Sequence, residues 1–197
     1  MKFKSSVTRG LTIAVLAAFL SGCGAVVVGG VVTGVKVAHD RRTTGTFVED
    51  QEILLKAIAM RSEDEVLQQN ANVNLSVFNL QVLFTGQAEN MAIVERFRDR
   101  VLTIPRVRGV LNEVTVGAES TWSEATADAY LTSKVKLALF GVEIDDFDPT
   151  RVKVVSSLGS VYLMGLLTPT EADAVTEKVR FVSGVKRVVK LFEYIDG

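Results

Sequence analysis

The chain has 197 residues, 22 Lys plus Arg against 23 Asp plus Glu, 48% hydrophobic residues and 3 prolines. This ordinary globular composition excludes extended disorder and collagen-like repeats. Without residues 1–22, which hold Lys2, Lys4 and Arg9 and no acid, the balance is 19 basic to 23 acidic, which excludes a general affinity for nucleic acid or anionic surfaces and requires any such binding to come from a local patch.

The chain opens on the basic stretch MKFKSSVTR, continues in the apolar run LTIAVLAAFL and reaches Ser21-Gly22 before Cys23, the sole cysteine. This is the three-part layout of a secretory signal, over residues 1–22. Leu20-Ser21-Gly22-Cys23 resembles the bacterial lipobox, which implies cleavage before Cys23 and lipidation of Cys23. With Gly24 following in place of an inner-membrane-retaining Asp, the resemblance implies an outer-membrane lipid anchor on the periplasmic face. The uncharged span from Leu11 to Val35 is also long enough by count for a transmembrane helix, although Gly22, Gly24, Gly29, Gly30 and Gly34 punctuate its second half. Residues 23–47 then form the lipidated Cys and a tether, Gly-rich first and polar after Ala38. Arg41 and Arg42 in it are placed to touch lipid headgroups. His39, the sole histidine, lacks the convergent partners a metal or proton-transfer site needs.

From residue 48 on, one pattern occurs twice. Val82-x-Phe84-x-Gly86 pairs with Val161-x-Leu163-x-Gly165, and Val107-Arg108-Gly109-Val110 with Val182-Ser183-Gly184-Val185. On this pairing the copies differ by four residues between landmarks, about one helical turn. Each copy predicts a helix (stripes Ile53, Leu54, Ala57, Ile58 and Leu131, Val135, Ala138, Leu139). Two strands follow, with alternation at Val73, Leu75, Val77 and Val82, Phe84, then at Val152, Val154 and Val161, Leu163. Their turns, Phe78–Gln81 and Ser157–Ser160, are hairpin-sized. A second helix carries Ile93, Phe97, Val101 or Val175, Val179, Val182, and a last strand carries Val110, Val114, Val116 or Val185, Val189, Leu191. Gly86 and Gly165 are expected to end the central strands, and Gly109 and Gly184 to sit just past the second helices. The fold class is α+β: two tandem α-β-β-α-β modules at 48–117 and 126–197, joined by a linker at 118–125, each a three-stranded mixed sheet packed on two helices, after the lipoprotein signal peptide. Modules this small also make packing of the two against each other plausible.

The repeated V-x-[LF]-x-G and V-x-G-V landmarks resemble the BON domain, a family of bacterial periplasmic and membrane-associated modules, and the resemblance covers nearly all of the chain after the tether. Lipobox, an Asp-Arg-Arg-Thr-Thr-Gly stretch at Asp40 to Gly45 and two copies are similar to the dual-BON outer-membrane lipoproteins. The resemblance implies phospholipid binding and a part in envelope integrity, with no catalysis.

The residues offer little chemistry. Asp145, Asp146 and Asp148 lack the spacing of a calcium loop. No phosphate loop, dinucleotide fingerprint or nucleophile elbow occurs, so no metal, cofactor or small-molecule substrate is expected and the chain reads as a non-enzyme. An asymmetry between the first helices is informative. Opposite Leu131, Val135 and Leu139 lie Tyr130, Lys134, Leu137 and Gly141, with Ser133 and Phe140 at the shoulder, whereas the first copy shows Glu52, Leu55, Lys56 and Ala59; Tyr130, Ser133, Lys134 and Leu137 are the expected phospholipid contacts. An exposed Tyr and Leu beside Lys suits an interface with anionic phospholipid, the apolar atoms entering the acyl boundary and the ammonium meeting phosphates. The same residues equally suit packing against the first copy. Arg96, Arg98, Arg100, Arg106 and Arg108 crowd the first copy's second helix and read either as a solvated face or as a docking patch for an envelope protein or anionic glycan; the periplasmic address argues against nucleic acid. The leading expectation is a lipid-anchored phospholipid-binding protein. The alternative is an envelope scaffold whose modules bind a protein partner and not lipid.

Overall fold

The computed structural model describes residues 41–117 and 122–196. Its elements run α1 (Thr44–Ser62), α2 (Glu65–Asn70), β1 (Ala71–Phe78), β2 (Gln81–Ala88), α3 (Met91–Val101) and β3 (Gly109–Val116). The second copy follows with α4 (Trp122–Leu139), a 3-10 turn (Pro149–Arg151), β4 (Lys153–Ser157), β5 (Ser160–Leu167), α5 (Pro169–Arg180) and β6 (Arg187–Tyr194). Each copy is a three-stranded sheet with the middle strand antiparallel to its hairpin partner and parallel to the last strand. The expected α-β-β-α-β order therefore holds, with α2 added in the first module and the 3-10 turn in the second. The first helix starts at Thr44, before the expected boundary at 48, and α4 takes in the last residues of the expected linker.

Local signals account for these boundaries. Thr43, Asp64 and Asn90 cap α1, α2 and α3 by accepting from the amides of Thr46, Leu67 and Ala92. α5 opens on a capping box, Thr168 with Glu171, and has Pro169 in its first turn. Both hairpins turn through two consecutive left-handed residues, Asn79-Leu80 and Leu158-Gly159, the twist-compatible type that strand hairpins favour.

Within each module, α1 and α3, or α4 and α5, cover one face of the sheet. Ile53, Ala57, Phe84, Val94, Phe97 and Val101 centre the first core, with the Phe84 and Phe97 rings stacked at 5.1 Å. Val94 takes the buried place expected for Ile93, which is only half-buried. Leu131, Val135, Leu139, Val161, Leu163, Val175 and Val179 centre the second. A third cluster lies on the opposite faces of the sheets, where Phe78 and Leu83 meet Tyr162 and Met164, edged by Leu111, Val189 and Leu191. The modules thus pack sheet against sheet, which is why β2 and β5 are buried on both faces. Val189 and Leu191 belong to this junction, while Val188 and Phe192 face the second module's helices. The ion pairs Arg108–Glu193, from the residue just before β3, and Arg187–Glu113, from within β3, are both 2.9 Å or shorter and link the first module to β6. Lys153 Nζ donates to the Val77 carbonyl across the junction at 2.9 Å. Burial lowers the Lys153 ammonium below its ordinary pKa, with Arg42 adding to the effect and Asp50 opposing it.

Strand register corrects the repeat. Val82 pairs with Val110, and Val161 with Val188, so Val110 corresponds to Val188 and not to Val185. The copies differ by one residue over this interval, not four. Arg106, with φ 73°, then stands where Gly184, with φ 101°, stands in the second copy. Gly109 is the first residue of β3 and holds no left-handed turn. Gly86 and Gly165 lie inside the central strands, which run on to Ala88 and Leu167. Gly86 has φ 118°, and a Cβ there would sit 2.0 Å from the Asn72 carbonyl oxygen, so close backbone approach explains this glycine.

Candidate functional site

α4 buries Leu131, Val135 and Leu139 against the second sheet, and the 3.6-residue period then turns Tyr130, Ser133 and Leu137 outward. Tyr130 is 66% exposed, and Leu137 and Phe140 are each 71% exposed. Lys134 lies half-buried beside them, its ammonium 5.1 Å from the Tyr130 ring centroid and donating to the Ser183 carbonyl. The four expected contact residues therefore share one outward face. The sheets form the junction, so packing of Tyr130 and Leu137 against the first module is ruled out.

The structure adds a residue that the sequence pattern missed. Phe181, at the C-cap of α5, is also 71% exposed, with the Arg180 guanidinium 4.7 Å from its ring centroid. An open groove of about 650 Å3 separates the ends of α4 and α5, lined by Ala138, Gly141, Val142, Ala174, Lys178 and Phe181. An aromatic just past an amphipathic helix was the available signal, but its direction depends on the turn after α5. In the first module, α1 presents Glu52, Leu55, Lys56 and Ala59 to solvent, and Lys56 pairs with Glu52 at 2.5 Å. Its outward face carries no aromatic and its cation is matched within the helix.

The five arginines do not gather into one open patch. Arg96 and Arg100 converge on Asp64, each with a 2.9 Å contact. Arg98 pairs with Glu95 at 3.2 Å, Arg106 with Glu49, and Arg108 with Glu193 of the second module. Asp64 is buried, which pushes its carboxyl up, but the Leu67 amide and the two guanidiniums outweigh burial and hold it below its ordinary range. Arg41 and Arg42, expected at lipid headgroups, instead pair with Glu171 and Asp50. Cys23, His39 and the rest of the leader and tether up to residue 40 lie outside the described residues. Among the described residues no cluster of three His, Cys, Asp or Glu side chains could hold a metal, and no helix is long and apolar enough to cross a membrane.

The BON domain family model matches residues 51–118 and 127–196, the two modules just described. The chain belongs to the BON family. The relatives align over most of their length. The outer membrane lipoprotein DolP of Haemophilus influenzae is 35% identical over 179 residues, 90% of this chain and 91% of the relative. The 21 kDa hemolysin of Actinobacillus pleuropneumoniae is 32% identical over 157 residues, 79% of each chain. Neither relative is named as an enzyme. Among solved structures, CdsD, a structural protein of the type III secretion system of Chlamydia trachomatis, aligns over 70% of this chain and 91% of its own with 17% identity and a TM-score of 0.27. The chain is a dual-BON protein of the outer-membrane lipoprotein kind.

Proposed function

We propose that the protein is anchored in the outer membrane by lipid on Cys23, faces the periplasm, and binds anionic phospholipid through α4 of the second BON domain in support of outer-membrane integrity. The observation that carries the reading is the outward row of Tyr130, Leu137 and Phe140 with Lys134 beside it. Large apolar side chains on an exposed helix face gain by entering the acyl boundary, about 25 cal/mol per Å2 of apolar area removed from water. Tyr130 and Lys134 keep their polar ends at phosphate depth. The role is binding and not catalysis.

Two measurements test the parts separately. Mass spectrometry of membrane-extracted protein should find residues 1–22 absent and acyl chains on Cys23; an intact N-terminus contradicts the anchor. Co-sedimentation of the unlipidated protein should occur with anionic vesicles and fall as salt rises, with little binding to neutral vesicles. Equal binding to both, or none, contradicts recognition of anionic lipid, and absence of binding favours a protein partner for the exposed face.

A further inference from the structure

We infer that Arg41 and Arg42 form a clamp that locks the segment preceding α1 onto both BON domains at once, making the end of the tether a structural strap across the domain junction. Arg42 engages the first domain. Its guanidinium pairs with Asp50 Oδ2 at 2.5 Å and lies 4.1 Å from the Phe78 ring centroid and 5.5 Å from that of Phe47. The Arg42 side chain is 9% exposed and Asp50 is fully buried. Arg41 engages the second domain. Its two terminal nitrogens donate to Glu171 Oε2 at 2.5 Å and Oε1 at 3.0 Å, and one also donates to the Leu166 carbonyl at 3.1 Å. Glu171 is itself buried and belongs to the α5 capping box.

Two adjacent residues, with Cα atoms about 3.8 Å apart, thus hold two different domains, and both grips can persist only while the domains keep their present placement. The planar guanidinium fork suits such bidentate and ring-stacked contacts, which a lysine cannot reproduce. The two BON domains share one hairpin contact that involves no arginine. Asp50 accepts from the amides of Asn79 and Leu80, at 2.8 and 2.7 Å, and Asp128 accepts in the same way from Leu158 and Gly159, at 2.9 and 3.3 Å. In the sequence, the residue eight positions before Asp50 is Arg42 and the residue eight positions before Asp128 is Ser120. The arginine pair is an addition at the junction. One consequence rests on the proposed lipidation of Cys23: the membrane anchor pulls at the junction of the domains, through a stretch from Cys23 to Arg41 whose contour is at most about 65 Å. The clamp itself does not depend on that lipidation.

The test uses the full mature chain with Cys23→Ser to prevent acylation, and reads local opening, not vesicle binding. In limited trypsinolysis the bonds after Arg41 and Arg42 should resist cleavage, while an Arg41→Lys/Arg42→Lys variant, still a trypsin substrate at both positions, should be cut there at least about tenfold faster. Amide exchange should locate the two grips. Arg42→Ala should speed exchange at Asn79 and Leu80, and Arg41→Ala should speed exchange at Thr168, more than a hundred residues away, each by about tenfold or more. Wild-type cleavage as fast as in the double lysine variant, or unchanged exchange at any of these three amides, overturns the clamp. The cleavage of the wild-type chain decides even if an alanine variant fails to fold.

Discussion

Asp50 and Asp128 show what a single side chain can do in two settings. Each sits on the first helix of its domain and receives the two amides of a left-handed hairpin turn, groups that would otherwise lack partners. Asp50 is also the counter-ion of Arg42 in a buried place, whereas Asp128 is only half-buried. Removing one member of a buried pair strands the other, so Asp50→Ala should cost about 3 kcal/mol or more, against about 1–2 kcal/mol for Asp128→Ala. Urea denaturation of the two variants checks this, and equal losses would contradict it. None of these contacts was legible in the sequence. A lone Asp in a helix is ordinary, and its partners become neighbours only when the hairpin folds back. The exposure of Tyr130, Ser133 and Leu137 was legible, because helical periodicity alone separates them from Leu131, Val135 and Leu139. Lys134 was less so, since its link to Ser183 depends on the turn after α5.

At the scale of elements, hydrophobic periodicity and hairpin-sized turns disclosed two helices and three strands per copy because those signals are local. The repeat register is ambiguous in the sequence for a physical reason. Val-x-Gly-Val occurs in both copies, but a left-handed turn accepts Gly184 in one and Arg106 in the other, so the glycines do not correspond. Only the pairing of Val82 with Val110 and Val161 with Val188 decides the alignment. The runs Val82-Leu83-Phe84 and Val161-Tyr162-Leu163-Met164 carried an unused signal, since continuous apolar residues mark a strand covered on both faces. The short helix α2 shows how elements are joined by charge, with Asp64 capping it and receiving Arg96 and Arg100 from α3. Because the folded pKa of Asp64 is depressed below the ordinary 3.8, its contribution is fully present above that value and is lost as pH falls through the folded pKa. Arg96→Ala/Arg100→Ala removes the two guanidiniums from the causes of the depression and leaves the Leu67 amide. The difference in denaturation midpoint between pH 7 and pH 3 should therefore be smaller in this variant than in the wild type, and an unchanged difference would contradict the assignment.

For the whole molecule, the sheet-to-sheet junction determines which surfaces remain available. It consumes the outer faces of β2 and β5 and leaves the outward faces of α1 and α4 open. Those faces differ in their chemistry, one carrying an internally paired Lys56 and no aromatic, the other Tyr130, Leu137 and Phe140 beside Lys134, with Phe181 nearby on α5. Two copies of one fold thereby have unequal surfaces: α1 exposes the aliphatic Val48, Leu55 and Ile58, whereas the α4 side carries the exposed aromatics. The most direct test is vesicle co-sedimentation of the unlipidated protein carrying Tyr130→Glu and Lys134→Glu. Binding to anionic vesicles should be abolished while the circular dichroism spectrum of the folded protein is unchanged, and retained binding by the folded variant would contradict a lipid contact through α4.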